Sequence, residues 1–389
     1  MESGRLTFWE IFLPIVSSNS TASIPEKMRA AVYRGDKQVF VEEIATPQLG
    51  PGEILIRVES CGICHTDLKK IEYGLLAPPR IYGHETAGVV AAVGGDVTKY
   101  KIGDAVIAFH HIPCGKCFYC ERNLYAQCPV YKKVGITAGF EPAGGGFAQY
   151  VRVMDWIVER GVEKIPAGVS FDTACFVEPV NTCLKAVELA ASRPGDLAVV
   201  IGQGPIGMIF TMILKHKGVR TVATDTMDRR RELSKKFGAI DCFDPRDTDV
   251  KAQVWALTGG RGADLVFVAT SAPGVVEQAV ACSRPGAKIC LFAQTSDKER
   301  IEVSGASICV GERVLFGAYS ASVDLQHESA TLVFSGVLPV HELVSHRVSL
   351  DGIMQGFDMA LHPGAKSLKI VVCPQLTGTE VLSSGEACA

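Results

Sequence analysis

Four cysteines in one short stretch, Cys114, Cys117, Cys120 and Cys128, carry the most specific chemistry in the 389-residue chain. Thiolates spaced CxxCxxCx7C can close a tetrahedral cage with no open position, which describes a structural zinc site. Thiols alone also suit an iron–sulfur cluster, and Pro129 after Cys128 partly mimics the bacterial ferredoxin run, but the last spacing differs. A second group is dispersed: Cys64 within Cys61-Gly62-Ile63-Cys64-His65-Thr66-Asp67, then His84-Glu85 after Gly83, then Glu178 before Pro179. A thiolate, an imidazole and carboxylates from separate segments suit a zinc ion that keeps one position for water or substrate. Each has an ordinary alternative, since a lone His is usually hydrogen-bonded in a core and a Glu before Pro usually marks a turn. Spacing alone does not separate Cys61 from Cys64 as the ligand.

Gly202-Gln203-Gly204-Pro205-Ile206-Gly207 is a GxGxxG after an apolar strand and at the start of a helix. The first Gly permits a tight turn and the second lets backbone approach a pyrophosphate. The third lets helix pack on strand, and the helix N-terminus offers unpaired N–H groups to the anion. Asp225 ends the next strand, at the separation expected of an acid that accepts ribose hydroxyls. A carboxylate there repels an extra phosphate, so NAD is favoured over NADP. Arg229 and Arg230 just downstream pull the other way, since a nearby Arg can accommodate a 2′-phosphate; such side chains more often line the adenine edge or solvate a helix.

These residues need a frame. From Met28 to about Ile157, short β-rich runs (Gln38–Glu43, Glu53–Glu59, Gly88–Val93, Ala105–Ala108) are broken by Gly, Pro and Asp, which predicts an irregular, mostly β domain. After Arg193-Pro194-Gly195-Asp196 the pattern changes. Strands at Leu197–Ile201, Arg220–Asp225, Leu265–Ala269 and Lys288–Phe292 alternate with helices at Pro205–Lys217, Asp228–Phe237 and Pro273–Ser283. That alternation predicts parallel strands joined by right-handed crossovers. The chain exceeds the usual size of one core, so two domains are expected. Hydrophobic residues at 47% and charged residues at 21% exclude a largely disordered chain. A net charge of −3 leaves no basic excess for a nucleic-acid partner. The apolar stretch Phe8–Val16 is too short to span a bilayer and lacks the features of a signal peptide, so residues 1–27 read as an extension. A cytoplasmic location with reduced thiols follows, which makes the clustered Cys metal ligands rather than disulfides.

Taken together, the residues resemble the zinc-dependent medium-chain alcohol and polyol dehydrogenases. Gly83-His84-Glu85-Thr86-Ala87-Gly88, continuing through Gly94 to Val97, is similar to that family's zinc signature, and the likeness runs from about Met28 to about Val372. Glu85 after His84, and an acid at Glu178, resemble the sorbitol, polyol and threonine dehydrogenase branch. The resemblance implies an α/β fold: a doubly wound Rossmann cofactor domain (181–322) inserted between a GroES-like, mostly β catalytic domain (28–180) and a C-terminal return to it (323–389). It selects Cys64 over Cys61 as the ligand. His84 and either Glu85, Glu178 or water would complete the shell, and Cys114, Cys117, Cys120 and Cys128 would hold a second, structural zinc. It implies hydride transfer between a secondary alcohol and NAD, and a homodimer or homotetramer. Thr66 would be the first proton acceptor, Lys69 stands where a relay His is usual, and His111 would face the substrate. Thr182, His65 and Arg230 would contact the cofactor alongside the glycine turn, Pro205, Ile206 and Asp225. L-Threonine-type amino-alcohol oxidation and a non-catalytic dinucleotide-binding protein are the alternatives.

Overall fold

The structure, a computed structural model of the chain, describes residues 24–131, 135–141, 143–293, 300–376 and 378–381. Six parallel strands form one sheet in the spatial order Asp241–Phe243, Arg220–Thr224, Leu197–Ile201, Ala263–Val268, Ser283–Leu291, Val314–Gly317. This is the doubly wound order, and it reverses direction beside Leu197–Ile201, where a crevice opens at the carboxyl ends of the strands. Leu197–Ile201 is buried at every position, which explains its unbroken apolar run: helices cover both faces. The helix Pro205–His216 packs Phe210 onto Phe267 and edge-on to Phe292, with ring centroids 4.8 and 4.9 Å apart. Arg220–Thr224 stops one residue short of the expected end, so Asp225 sits just past the strand at the crevice.

A second sheet holds the dispersed ligand candidates. Its nine strands run through Thr379–Val381, Val344–Val348, Lys369–Val372, Ile54–Gly62, Glu85–Val93, Ala105–Ala108 and Val162–Lys164, with Tyr150–Val153 branching from Ile54–Gly62 and Ile136–Thr137 pairing in turn with Tyr150–Val153. The chain after the parallel sheet therefore comes back to the first-formed strands. Val371 pairs with Gly62, and Gly62 pairs in turn with Glu85. Arg347 on the returning strand Val344–Val348 bonds buried Asp172 through Nε and Nη2 (2.6 and 2.5 Å), and Asp172 also accepts from Ser60. A separate hairpin, Lys27–Gly35 with Gln38–Ala45, is tied on by Ala31 N–H donating to Phe147 O at 2.9 Å. Of the expected N-terminal extension, residues 1–23 lie outside the described residues, and Lys27 already opens a strand. Residues 377 and 382–389 of the tail also lie outside them. The described cysteines form no disulfide, and no helix among the described residues is long and apolar enough to cross a membrane.

Candidate active site

Strand Ile54–Gly62 and helix His65–Glu72 meet at Cys64, which caps the helix in extended backbone. Strand register then sets Glu85 across from Gly62. The result gathers Cys64 Sγ, a His84 ring nitrogen and a Glu85 carboxylate oxygen within 4.8 Å of one another. Gly62 makes room for this: a Cβ there would fall 1.9 Å from Glu85 Oε2. Cys61 is turned elsewhere. Its Sγ faces Thr86 Oγ1 at 3.6 Å and packs on Gly83 and Gly146, where added Cβ atoms would come within 2.9 and 2.5 Å of it. Burial pushes the Cys61 thiol up to about 12, as expected of an inert core cysteine.

His84 Nδ1 lies 3.0 Å from Asp67 Oδ1, and both side chains are buried. The carboxylate holds the ring proton on Nδ1, which leaves the Nε2 lone pair for another partner. Burial favours neutral His84, but Asp67 and Cys64 outweigh it and hold the imidazole well above its usual value. Sulfur, imidazole and carboxylate donors at this spacing match a zinc site with room for one more oxygen, so the residues fit the ion. Glu178 stands outside the set, in the first turn of helix Val177–Ala190. Its Oε1 is 3.7 Å from His111 Nδ1, too long for a hydrogen bond. Burial pushes its carboxyl up to about 7. His111 stacks with His110 at 3.9 Å between ring centroids; His110 is buried and the His111 side chain is 9% exposed, and burial followed by the neighbouring histidines holds both well below the usual value.

One participant was not anticipated. Lys369, from the strand beside Gly62, pairs its Nζ with Glu85 Oε2 and donates to Ile63 O at 3.1 Å. Both side chains are nearly sealed from solvent, at 7% and 2% exposure. Burial works to discharge this lysine, but Glu85 and Cys64 keep its pKa raised. No local pattern announces Lys369; its role comes from strand pairing across most of the chain.

The glycine turn has the geometry its spacing demands. Gly202 has φ +90, and Gly207 must lack a side chain because a Cβ would sit 1.8 Å from Gly202 O. A Cβ on Gly204, by contrast, would meet nothing within 4 Å, so the backbone there borders open space at the start of helix Pro205–His216. Asp225 is pinned by two backbone donors, Gln203 N to Oδ2 at 2.8 Å and Met227 N to Oδ1 at 2.9 Å. Each oxygen keeps a further lone pair for ribose hydroxyls. Arg230 reaches to 3.9 Å from Asp225 Oδ2 and donates to Ser367 O at 3.4 Å, which bridges the crevice. Arg229 has no resolved contact with Asp225; Arg231 instead bonds Asp225 O, Asp228 and Asp244.

A cavity of about 380 Å³ joins the two halves. It is lined by Cys64, His84, Glu85, His111 and Glu178 on one side and by Gly202, Gly204, Pro205, Ile206, Asp225 and Arg230 on the other. His65, Thr66, Lys69 and Thr182 line it too; Thr182 Oγ1 donates to Pro179 O at 2.9 Å, leaving its oxygen free to accept. On helix His65–Glu72, residues four apart share a face, so His65 goes with Lys69 and Thr66 with Lys70. Burial, then Lys369, Lys69 and Arg230, hold His65 below its usual value, which places it among cations.

Away from the cavity, Cys114, Cys117, Cys120 and Cys128 bring all four sulfurs within 4.8 Å of one another. Cys117 and Cys120 are 3.5 Å apart, and Cys114 N–H donates to Cys128 Sγ at 3.4 Å. Burial raises the Cys128 thiol, but backbone donors from Cys114, Tyr131 and Val130 bring it down to about 6. Four sulfurs gathered this closely, one of them acidified by backbone donors, fit a structural zinc.

Comparison with known proteins agrees with both halves. The alcohol dehydrogenase GroES-like domain family matches residues 50–166, and the zinc-binding dehydrogenase family matches residues 205–353. The chain is 31% identical to an L-threonine 3-dehydrogenase of Pyrococcus abyssi, over 81% of this chain and 88% of that one. It is 28% identical to a sorbitol dehydrogenase of Bacillus subtilis, over 91% and 99%. The crystal structure of 2R,3R-butanediol dehydrogenase from Bacillus subtilis superposes with a TM-score of 0.75 at 28% identity, covering 90% of this chain and 100% of that one.

Proposed function

Because the chain belongs to the zinc-dependent medium-chain alcohol and polyol dehydrogenases, we propose that this cavity oxidises a secondary alcohol, with NAD taking the hydride. The observation that carries this is the opening of the Cys64–His84–Glu85 set and the Gly202–Gly207 turn onto the same space. Cys64 and His84, with Glu85 or Glu178 completing the shell, would hold a zinc ion whose Lewis acidity makes a nearby hydroxyl easier to deprotonate. NAD bound along the glycine turn would supply the electron-pair acceptor.

The chain's own residues do the rest. Asp67 fixes the His84 tautomer and orientation. Lys369 balances Glu85, so that the carboxylate can turn toward the set without leaving an uncompensated charge. Thr66 takes the hydroxyl proton, since its side chain accepts and donates at once. Lys69, on the His65 face, borders the cofactor half of the cavity, and a proton leaving Thr66 passes along that wall to solvent. His111 and Glu178 face the substrate. Gly204 gives the pyrophosphate its approach, Pro205 and Ile206 open the helix, Asp225 takes the ribose hydroxyls with Arg230 over them, and Thr182 meets the nicotinamide. The acid-bearing ribose end favours NAD over NADP. The relatives' activities make a polyol or other vicinal hydroxyl compound the first substrate to try, and L-threonine the second. A homodimer or homotetramer in a reducing, cytoplasmic setting completes the proposal.

Purified protein should carry about two zinc ions per chain, one for each set. With NAD and a panel of polyols, amino alcohols and simple alcohols, absorbance of the reduced cofactor should rise for at least one class. Zinc-replete protein that binds NAD yet reduces none of it with any alcohol would overturn the dehydrogenase assignment.

A further inference from the structure

Tyr131 stands between the four-cysteine loop and the cavity. It is 5% exposed, and it lies behind the cavity wall rather than in it. Its backbone N–H is one of the donors that acidify Cys128, and its side chain packs with Cys120 and Cys128. The same ring lies 5.6 Å from the His111 ring, centroid to centroid. His111 in turn meets His84 edge-on at 6.4 Å. Two rings thus bridge the outlying cysteine cage and a ligand candidate of the inner set.

His111 depends on such support. Its Nδ1 makes no hydrogen bond, since Glu178 Oε1 is 3.7 Å away, so packing orients the ring. Phe109 and His110, at 5.1 and 3.9 Å between centroids, come from its own segment; Tyr131 is the neighbour that the cysteine loop supplies. Tyr131 also stands beside Ser320, near enough to influence it though short of a full hydrogen bond. Ser320 lines the cavity at φ +61, a left-handed conformation that a serine keeps only when its surroundings hold it. Helix Val177–Ala190 fastens that segment from one side: Asn181 bonds Ser322 in both directions (3.0 and 2.8 Å), and Lys185 donates to Tyr319 O at 3.0 Å. The cysteine loop reaches it as well, with Tyr125 against Asp324 and Tyr131 against Ser320.

We propose that Tyr131 is a positioning residue through which the ion in the four-cysteine loop shapes the substrate end of the cavity. With the loop filled, Tyr131 holds His111 and Ser320 in place; with the loop empty, the alcohol is bound less well while NAD is bound as before. The inference deepens the dehydrogenase reading and rests on it, since His111 and Ser320 matter as walls around an alcohol. The glycine turn and Asp225 make none of these contacts, which is why the cofactor is spared.

The test uses the full chain with saturating NAD and whichever of sorbitol, 2,3-butanediol and L-threonine it oxidises fastest. Tyr131→Leu should raise the KM for the alcohol about fivefold or more, with kcat and the KM for NAD within about twofold of the parent. Bound zinc should stay at about two ions per chain. Tyr131→Phe keeps the ring and should restore most of the loss. Cys120→Ser, which empties the loop, should give a similar KM shift, and Tyr131→Leu on top of it should add little, because both act through one contact. A second readout needs no turnover. In protein isotope-labelled at histidine, the His111 ring signals, assigned by their loss in His111→Asn, should move in Tyr131→Leu and in Cys120→Ser. Unmoved His111 signals with a parental KM, shifts that multiply in the double variant, or loss of a zinc ion from Tyr131→Leu would each overturn the proposal. His111 signals that move in a protein that oxidises no alcohol would instead sink the dehydrogenase reading and leave the link between loop and cavity wall standing.

Discussion

Replacing Lys369 with methionine isolates the least expected contact in the site. The side chain is buried at 7% exposure against a Glu85 that is 2% exposed, so solvent does little to screen the pair. Removing one partner of such a pair strands a buried charge, at a cost of roughly 3–5 kcal/mol. Methionine keeps the apolar stem and recovers some packing, while the ammonium's place over the Phe176 ring and its bond to Ile63 O, worth about 1 kcal/mol, are lost. The metal-free protein should therefore lose about 3 kcal/mol or more in chemical denaturation followed through the catalytic domain. Two controls sharpen the test. Zinc should return much of the loss, because Glu85 then regains a cation. The double variant Lys369→Met/Glu85→Gln should be more stable than Lys369→Met alone, because no charge is left stranded. A metal-free Lys369→Met protein within about 1 kcal/mol of the parent, or a double variant no better than the single, would refute the pairing argument.

Other expectations follow from the same geometry. Cys64→Ser should reduce bound zinc from about two per chain to about one and abolish turnover, whereas Cys61→Ala should keep both ions, as metal analysis of the purified variants will show. Cys120→Ser should also remove about one zinc, but from the outlying loop, with NAD binding retained and cleavage by a protease newly concentrated between Cys114 and Cys128. Asp225→Ala should raise the KM for NAD by about tenfold or more and narrow the gap to NADP; an unchanged cofactor ratio would remove Asp225 from the ribose site.

Much of this site could be read from the chain because its parts are local. The glycine turn, the four-cysteine loop and the His84-Glu85 pair each sit within a few residues, and each needs only its immediate backbone to work. The strands Leu197–Ile201 and Ala105–Ala108 were legible as written, since one is buried on both faces and the other lies between turn signals. What stayed hidden depends on pairing between distant segments. Asp241–Phe243 and Val314–Gly317 are too short to show a period, yet they form the two edges of the parallel sheet. Spacing leaves Cys61 and Cys64 alike; the resemblance selects Cys64, and the physical reason is the pleat of Ile54–Gly62, which turns Cys61 into the core. Lys369 reads as an unremarkable strand lysine until Val371 is set opposite Gly62.

The way the last strands return to the first sheet also dictates an order of events during synthesis. Until Lys369–Val372 emerges, the edge of Ile54–Gly62 that it will cover has no partner, and Glu85 has no cation from the protein. The strands of the parallel sheet between them meanwhile pair only with one another. A growing chain thus passes through an interval with a finished dinucleotide cradle and a half-built metal cage.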